Sequence, residues 1–277
     1  GTTQYSPIRI QPGFPSTASH PSIENLITHI IFIIHSIYLS LNKQYKQEKM
    51  TMQCMNGDES SSSSSSCDDV VATVRGMRHR ERQYMPLDYI NMHQSQGPPQ
   101  TVCCETTPLD EECRMKMSLW CAQIIEHCSF QQETCVIAMN SLDRFLSATP
   151  WACEDRSAFQ LAAITSLYTA IKVHEPQAIA ISSMAGLTRG VFTAEQIEGM
   201  ERVILEANRW LVHPPTTFAY GHLFCEIIAR ADPKYEYETL YDLTKLQLEA
   251  SIHNYEIALS LPSEVAFAAV MNAAEGM

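Results

Sequence analysis

The sequence predicts an all-α protein, and three observations carry that prediction. From residue 107 onward, apolar residues recur at helical spacing through most of the chain. The stretch Arg156–Lys172 is apolar on nearly every face, with Phe159, Leu161, Ala162, Ile164, Leu167, Tyr168 and Ile171. A helix of that kind must be surrounded by others. Helix-start signals stand at Thr107-Pro-Leu-Asp110, a cap hydroxyl before a first-position proline, and at Thr193-Ala-Glu-Gln196, a capping box. The architecture expected is a five-helix bundle followed by a second, incomplete helical unit.

Taken in order, residues 1–69 read as an extension. Within it, residues 1–49 are expected to lie outside the functional protein, with Met50 or Met52 as the start. The apolar run Leu26–Leu41 is interrupted by His29 and His35 and falls short of the roughly 20 residues a membrane span needs. A membrane anchor is the alternative for that run; a signal peptide lacks its basic region and small-residue cleavage pattern. Gly57 to Asp69 is a polar, serine-rich acidic tract that cannot bury enough surface to fold. Residues 70–106 form an N-terminal helix and linker: Val70–Arg82 reads as a short basic helix with a solvated face, leading into Met85-Pro-Leu-Asp-Tyr-Ile90.

The first unit, 107–212, holds five helices. The first starts at the Thr107 cap, with the Asp110 carboxylate in its first turn, and runs to about Cys128. The second covers about Glu133–Ser147 and stops before Pro150, and the third is Arg156–Lys172 with Pro176 beyond it. The fourth spans Ile179–Leu187. The fifth runs from the Thr193 box to Leu211, ended by His213-Pro-Pro215. The second unit, 213–277, offers Thr216–Arg230, Thr239–Leu259 and an alanine-rich Glu264–Ala274. That last stretch echoes the third helix of the first unit, which reads as a diverged repeat two helices short of completion at Met277.

Composition narrows the function. A net charge of −12 and a pI near 5.2 disfavour a nucleic-acid surface, which needs clustered cations to displace counterions. The ten cysteines include no C-x-x-C pair, so reduced thiols and a nuclear or cytoplasmic location are expected. Cys121, Cys128 and Cys135 recur every seven residues with His127 adjacent, a spacing that could be read as zinc-binding. They fall on two helices with no close pair, so packing is the reading adopted and no metal or cofactor is expected. With no glycine-rich phosphate loop, nucleophile motif or convergent His and carboxylate set, the chain does not read as an enzyme.

Four strings then stand out in order: Cys113-Arg-Met-Lys-Met-Ser-Leu-Trp120, Leu142-Asp-Arg-Phe-Leu146, Ser166-Leu-Tyr-Thr-Ala-Ile-Lys-Val-His-Glu175 and Met200-Glu-Arg-Val-Ile-Leu205. Lys172 and Glu201 lie 29 residues apart in the last two. This pattern resembles the cyclin family, with 107–212 as its N-terminal box and 213–277 as the opening of its C-terminal fold. The Leu142–Leu146 context is closer to D-type cyclins than to mitotic ones. The resemblance implies a regulatory subunit that binds and allosterically activates a cyclin-dependent kinase, in cell-cycle control. It implies that Arg114 and Asp143 pair as a structural ion pair, and that Lys172 and Glu201 grip the backbone of the kinase αC helix. Thr169, Val173, Glu175, Leu205, Trp210 and Val212 would surround them. It also implies a substrate-docking patch at Met117, Trp120, Gln123 and Gln160, beside Cys113 and Lys116. Lys116 and Gln123 depart from the family's aliphatic and acidic residues, so docking of Arg-x-Leu peptides is expected to be weak. Two other short strings carry no weight: Thr101-Val-Cys-Cys-Glu105 misses the pocket-protein motif L-x-C-x-E at its first position, and Arg202-Val-Ile-Leu205 matches a degradation-box core by chance on a packed face. The alternatives are a cyclin-fold transcription factor of the basal type, which the acidic charge opposes, and a pseudo-cyclin scaffold that activates no kinase.

Overall fold

The computed structural model describes residues 67–94 and 109–277, and every regular element among them is helical. Helix α1 (Cys67–Glu81) runs into a 3-10 turn at Arg82–Tyr84 and then the short α2 (Tyr89–Gln94). The first unit follows: α3 (Glu111–His127), α4 (Gln132–Ala148), α5 (Pro150–Glu154), α6 (Arg156–His174), α7 (Ile181–Leu187) and α8 (Ala194–Ala207). The second holds α9 (Thr217–Ala231), α10 (Tyr237–Ser251), α11 (Tyr255–Ala258) and α12 (Pro262–Glu275). No described helix is long and apolar enough to cross a membrane. The apolar run Leu26–Leu41, Thr107, Thr101–Glu105 and the serine-rich tract up to residue 66 lie outside the described residues, while the last three residues of that tract, 67–69, open α1 instead of staying unfolded as expected.

Local chemistry accounts for most helix starts. Thr193 accepts from the Gln196 amide while the Gln196 side chain accepts from the Thr193 amide, closing the capping box. Asp155 opens α6 by accepting from Ser157 N at 2.8 Å, and Thr216 opens α9 by accepting from Ala219 N at 3.0 Å. At α3 the cap is Asp110, whose carboxylate accepts from Cys113 N at 2.8 Å. It therefore sits one step before the first turn rather than inside it, and Glu111 and Glu112 occupy the dipole-facing positions.

Packing follows from α6. Ala162, Leu167 and Ile171 are fully buried, so α6 is the central helix, wrapped mainly by α4 and α8. The core does not stop at the first unit. Phe218, Tyr220, Leu248, Ile252, Tyr255, Ala266 and Ala269 belong to the same buried cluster as the α3, α4 and α6 side chains. A smaller cluster around Cys225, Leu240 and Val270 fills the outer part of the second unit. Helix α1 packs on α9. Its basic residues face solvent, while Val70 and Met77 are buried, and the buried carboxylate of Glu81 accepts from the Ser263 amide at 3.2 Å and the Ser263 hydroxyl at 3.0 Å. Glu81 thus caps α12, whose own cap residue Leu261 makes no side-chain bond.

Two expected boundaries need correction, and a third holds but gains an element. The expected single helix Thr239–Leu259 is two, because Ile252 gives its carbonyl to Arg114 (3.1 Å) and Asn254 caps a new turn by accepting from Ile257 N at 2.9 Å. Helix α8 ends at Ala207, well before Leu211 and the proline pair. Trp210 N bonds back to Leu205 O at 2.8 Å and Arg209 N to Glu206 O at 3.0 Å, a Schellman-type end with Arg209 in the left-handed region at φ 54°. Finally, Pro150 does not merely end a helix. It opens α5 as a first-position proline.

Candidate partner-binding face

Helix α6 ends because Glu175 is extended (φ −93°, ψ 145°) ahead of Pro176, and this puts Lys172 on its last turn. On the neighbouring α8, Glu201 faces inward, buried against α6. The two side chains meet: Lys172 Nζ lies 2.5 Å from Glu201 Oε1. The Thr169 hydroxyl lies 3.1 Å from the same oxygen, and the ammonium stands 5.3 Å from the Tyr168 ring. Lys172 is the outer member at 41% exposure and Glu201 the inner one at 12%. Pairing sets their geometry before any partner arrives, while leaving the lysine within reach of one.

Two apolar residues at the ends of the same two helices are open to solvent. Val173 is 37% exposed and Trp210 is 64% exposed, the latter held at φ 59° directly after Arg209. A large aromatic left in water at a strained backbone position is an unusual use of a tryptophan in a monomer. Leu205 and Val212 are half-buried between them and the core. A cleft of only about 20 Å³ opens beside Val173, lined by Arg144, Ser166, His174 and Val212 among others. That volume holds no metabolite, so the face is suited to surface-to-surface contact.

Glu175 has a task the sequence did not reveal, and the docking patch shows the polar departures expected of it. Glu175 turns inward: its carboxylate accepts from Gln131 N at 3.0 Å and the Thr134 hydroxyl at 2.5 Å. It thereby caps α4, whose cap residue Gln131 offers no side-chain bond, and it is occupied by that task. In the docking patch, Trp120 is buried and Met117 half-buried, whereas Gln123 and Gln160 are exposed. Lys116 pairs with Glu112 at 2.7 Å. Lys116, Gln123 and Gln160 make the outward face there largely polar, although Leu119 between the first two is 41% exposed.

Sequence reasoning missed the support beneath Trp210. Arg144 donates to Leu211 O at 2.9 Å and Asn208 O at 2.8 Å, with its guanidinium 5.0 Å from the Tyr84 ring. Asn208 in turn donates to Ser141 O at 2.9 Å, and His174 Nε2 lies 2.9 Å from Val212 O. A signal existed: an arginine inside the apolar run Leu142–Leu146 has to find acceptors if it is buried.

Arg114 and Asp143 form a two-pronged ion pair, Nε to Oδ1 at 2.9 Å and Nη2 to Oδ2 at 2.8 Å, both 2% exposed. Burial opposes the arginine's charge, but Asp143 outweighs it and holds the guanidinium above its ordinary pKa. Tyr89 also donates to Asp143 Oδ1 at 2.9 Å. The cysteines are spread through the packing: burial pushes the Cys128 thiol up to about 11 and Cys135 to about 12. Among the described residues no three His, Cys, Asp or Glu side chains converge on a metal-sized site.

Comparison with known proteins bears on the family and the fold. The sequence profile of the cyclin N-terminal domain matches residues 74–213. The chain is similar to the G2/mitotic-specific cyclin-B2 of Oryzias latipes, 28% identical over 182 residues, covering 66% of this chain and 45% of that protein. It is also similar to Cyclin-D3-2 of Arabidopsis thaliana, 31% identical over 124 residues, 44% of this chain and 33% of that protein. The relatives thus include mitotic and D-type cyclins alike, and the chain spans less than half the length of each. In fold it is similar to a viral cyclin from herpesvirus saimiri, with a TM-score of 0.51 at 18% identity over 61% of this chain and 72% of that one. With the profile matching across half its length, the chain belongs to the cyclin family.

Proposed function

We propose that this chain is the regulatory subunit of a cyclin-dependent serine/threonine kinase, acting in the nucleus or cytoplasm in cell-cycle control. The single observation that carries this reading is the preformed Lys172–Glu201 pair, 2.5 Å apart at the edge of a face bearing exposed Val173 and Trp210. The pair is only half in water, with Lys172 at 41% exposure and Glu201 at 12%, and partly exposed pairs add little to stability, so its placement beside exposed Val173 and Trp210 points to recognition. Lys172 and Glu201 offer a donor and an acceptor to the main chain at the end of the kinase αC helix. Val173, Leu205, Trp210 and Val212 cover that helix's apolar side, and Thr169 holds Glu201 in place. Docking favours the inward αC pose, in which the kinase's own glutamate meets its ATP-positioning lysine. A shift from 1:99 to 99:1 takes about 5.5 kcal/mol of differential binding, which an extended apolar contact supplies and one ion pair does not. No chemistry on this chain is involved.

The test is co-purification with candidate kinases, followed by histone-peptide phosphorylation. Replacing Lys172 and Glu201 together by alanine is expected to lower kinase recovery at least about tenfold, while unfolding shifts by the roughly 1–3 kcal/mol that losing the inner carboxylate and its Thr169 bond costs. Recovery equal to wild type, with kinase activity also unchanged, would end this reading.

A further inference from the structure

On the side of the molecule where α1, the α3–α4 turn, α9 and α10 meet, the helices leave a groove of about 690 Å³. Its floor is apolar, with Met77, Phe130, Phe218 and Leu223. Three carboxylates, Glu126, Glu133 and Glu249, stand on its lining against a single lysine, Lys245, which is itself 3.8 Å from Glu249. Two rings complete it: Tyr241, stacked on Tyr237 with centroids 5.8 Å apart, and His222, edge-on to both at 5.7 and 5.5 Å. The walls are built firmly. Glu175 pins the turn at Gln131 and Thr134, and Glu133 accepts from the Thr216 hydroxyl. Burial, with the nearby Glu133 carboxylate, raises the Tyr241 hydroxyl, which stays a protonated donor at neutral pH.

We propose that this groove docks a basic, aliphatic linear peptide segment of a partner protein, its cations meeting Glu126 and Glu249 and the Tyr241 ring, and its aliphatic side chains the Met77–Phe130–Phe218 floor. Charge complementarity selects this occupant. Carboxylates and aromatic faces attract ammonium and guanidinium groups, and the surplus of acids repels this chain's own serine-rich tract, which carries Asp58 and Glu59 ahead of α1. A second copy, at net charge −12, is repelled likewise. The groove's lining includes neither Lys172 nor Trp120, so variants in it leave the proposed kinase face and the expected docking patch unaltered.

The test uses the full chain and a fluorescein-labelled peptide, Ala-Lys-Leu-Lys-Lys-Leu-Lys-Ala, with a version carrying glutamate for every lysine. Fluorescence anisotropy is expected to show binding of the lysine peptide at roughly micromolar to sub-millimolar concentration, weakening with salt, and none of the glutamate peptide. Glu126→Lys with Glu249→Gln should weaken it at least about tenfold. Glu154→Lys, an exposed carboxylate away from the groove, changes net charge alone and should leave affinity within about twofold. A photo-crosslinking form of the peptide should label the Phe130 turn or α10. Equal loss in Glu154→Lys, labelling elsewhere, or no binding at about millimolar peptide overturns the proposal. So does a concentration-dependent dimer in sedimentation that Glu126→Lys abolishes, which would give the groove to a second copy.

Discussion

Arg144 spends both terminal nitrogens on the carbonyls of Asn208 and Leu211, and those two residues bracket Arg209 and Trp210, the pair with positive φ. A backbone held in the left-handed region by non-glycine residues persists only where its surroundings over-determine it; here the guanidinium does so. Arg144→Ala is expected to cost about 1–3 kcal/mol, since two carbonyls lose a charged donor, and to speed tryptic cleavage after Arg209 in the native protein. Kinase recovery should fall more than stability accounts for, because Trp210 loses its fixed pose; Arg144→Lys should restore only part. An unchanged cleavage rate after Arg209 in Arg144→Ala would show that the loop holds itself. A second residue sets a pH limit. Burial first, and then the Arg114 charge, lower the pKa of His253 from 6.5, whose Nδ1 lies 2.9 Å from the Ser118 hydroxyl. The unfolded chain binds this proton more readily than the folded one, so the contribution is complete above about pH 6.5 and is lost as pH falls through the lower folded value. Thermal unfolding compared at about pH 7.5 and pH 5.5 should show a drop that is smaller in His253→Asn. A variant with the same drop as wild type would assign the acid sensitivity to other groups.

At the scale of helices, what was legible in the sequence was what the sequence itself enforces locally. The all-round apolar pattern of α6 and the Thr193–Gln196 box of α8 depend on neighbours within a few residues, and both stand where the pattern places them. The two helix ends that were misread share one cause. At Ile252 and at Asn208, a buried arginine from another helix takes a carbonyl at the helix end, Arg114 in the first case and Arg144 in the second. No proline or glycine marks either position, so only the tertiary fold reveals the stop. The Lys172–Glu201 juxtaposition was legible only through the family resemblance that their spacing and flanks carry, whereas the inward task of Glu175 was not, because its partners Gln131 and Thr134 lie more than forty residues away. Helix α1 shows the same dependence on distant partners. Its basic face reads as a solvated appendage, yet Glu81 reaches across 182 residues of sequence to cap α12. Glu81→Ala should cost about 1–3 kcal/mol by leaving the Ser263 donors unmet. Hydrogen exchange should rise in the amides of α1 and in the first turn of α12 together. Faster exchange confined to α1 would mean that α12 is capped by water and the tether is incidental.

Across the whole molecule, the two helical units are joined by one buried node. Arg114 on α3 binds Asp143 on α4 and the Ile252 carbonyl after α10, while Tyr89 from α2 completes Asp143 and packs edge-on against Tyr255 with centroids 5.2 Å apart. Because the main core also runs through both units, the described region should unfold in one cooperative step. The three tryptophans, at 120, 151 and 210, all lie in the first unit, so fluorescence reports that unit while far-ultraviolet circular dichroism reports both. Their urea transitions should coincide in the wild type. Arg114→Met strands the Asp143 carboxylate in a site with 2% exposure and should cost about 3–5 kcal/mol. Removing the carboxylate as well, with Asp143→Leu, should recover part of that loss, since the unpaired charge is gone. It should not recover all, because the Ile252 carbonyl and Tyr89 hydroxyl remain without partners, a deficit of about 1–3 kcal/mol each at most. The double-mutant cycle then reads a coupling well above the few tenths expected of independent sites. If the double variant proved as stable as wild type, the node would be a replaceable packing element, and the join between the units would rest on the shared apolar core alone.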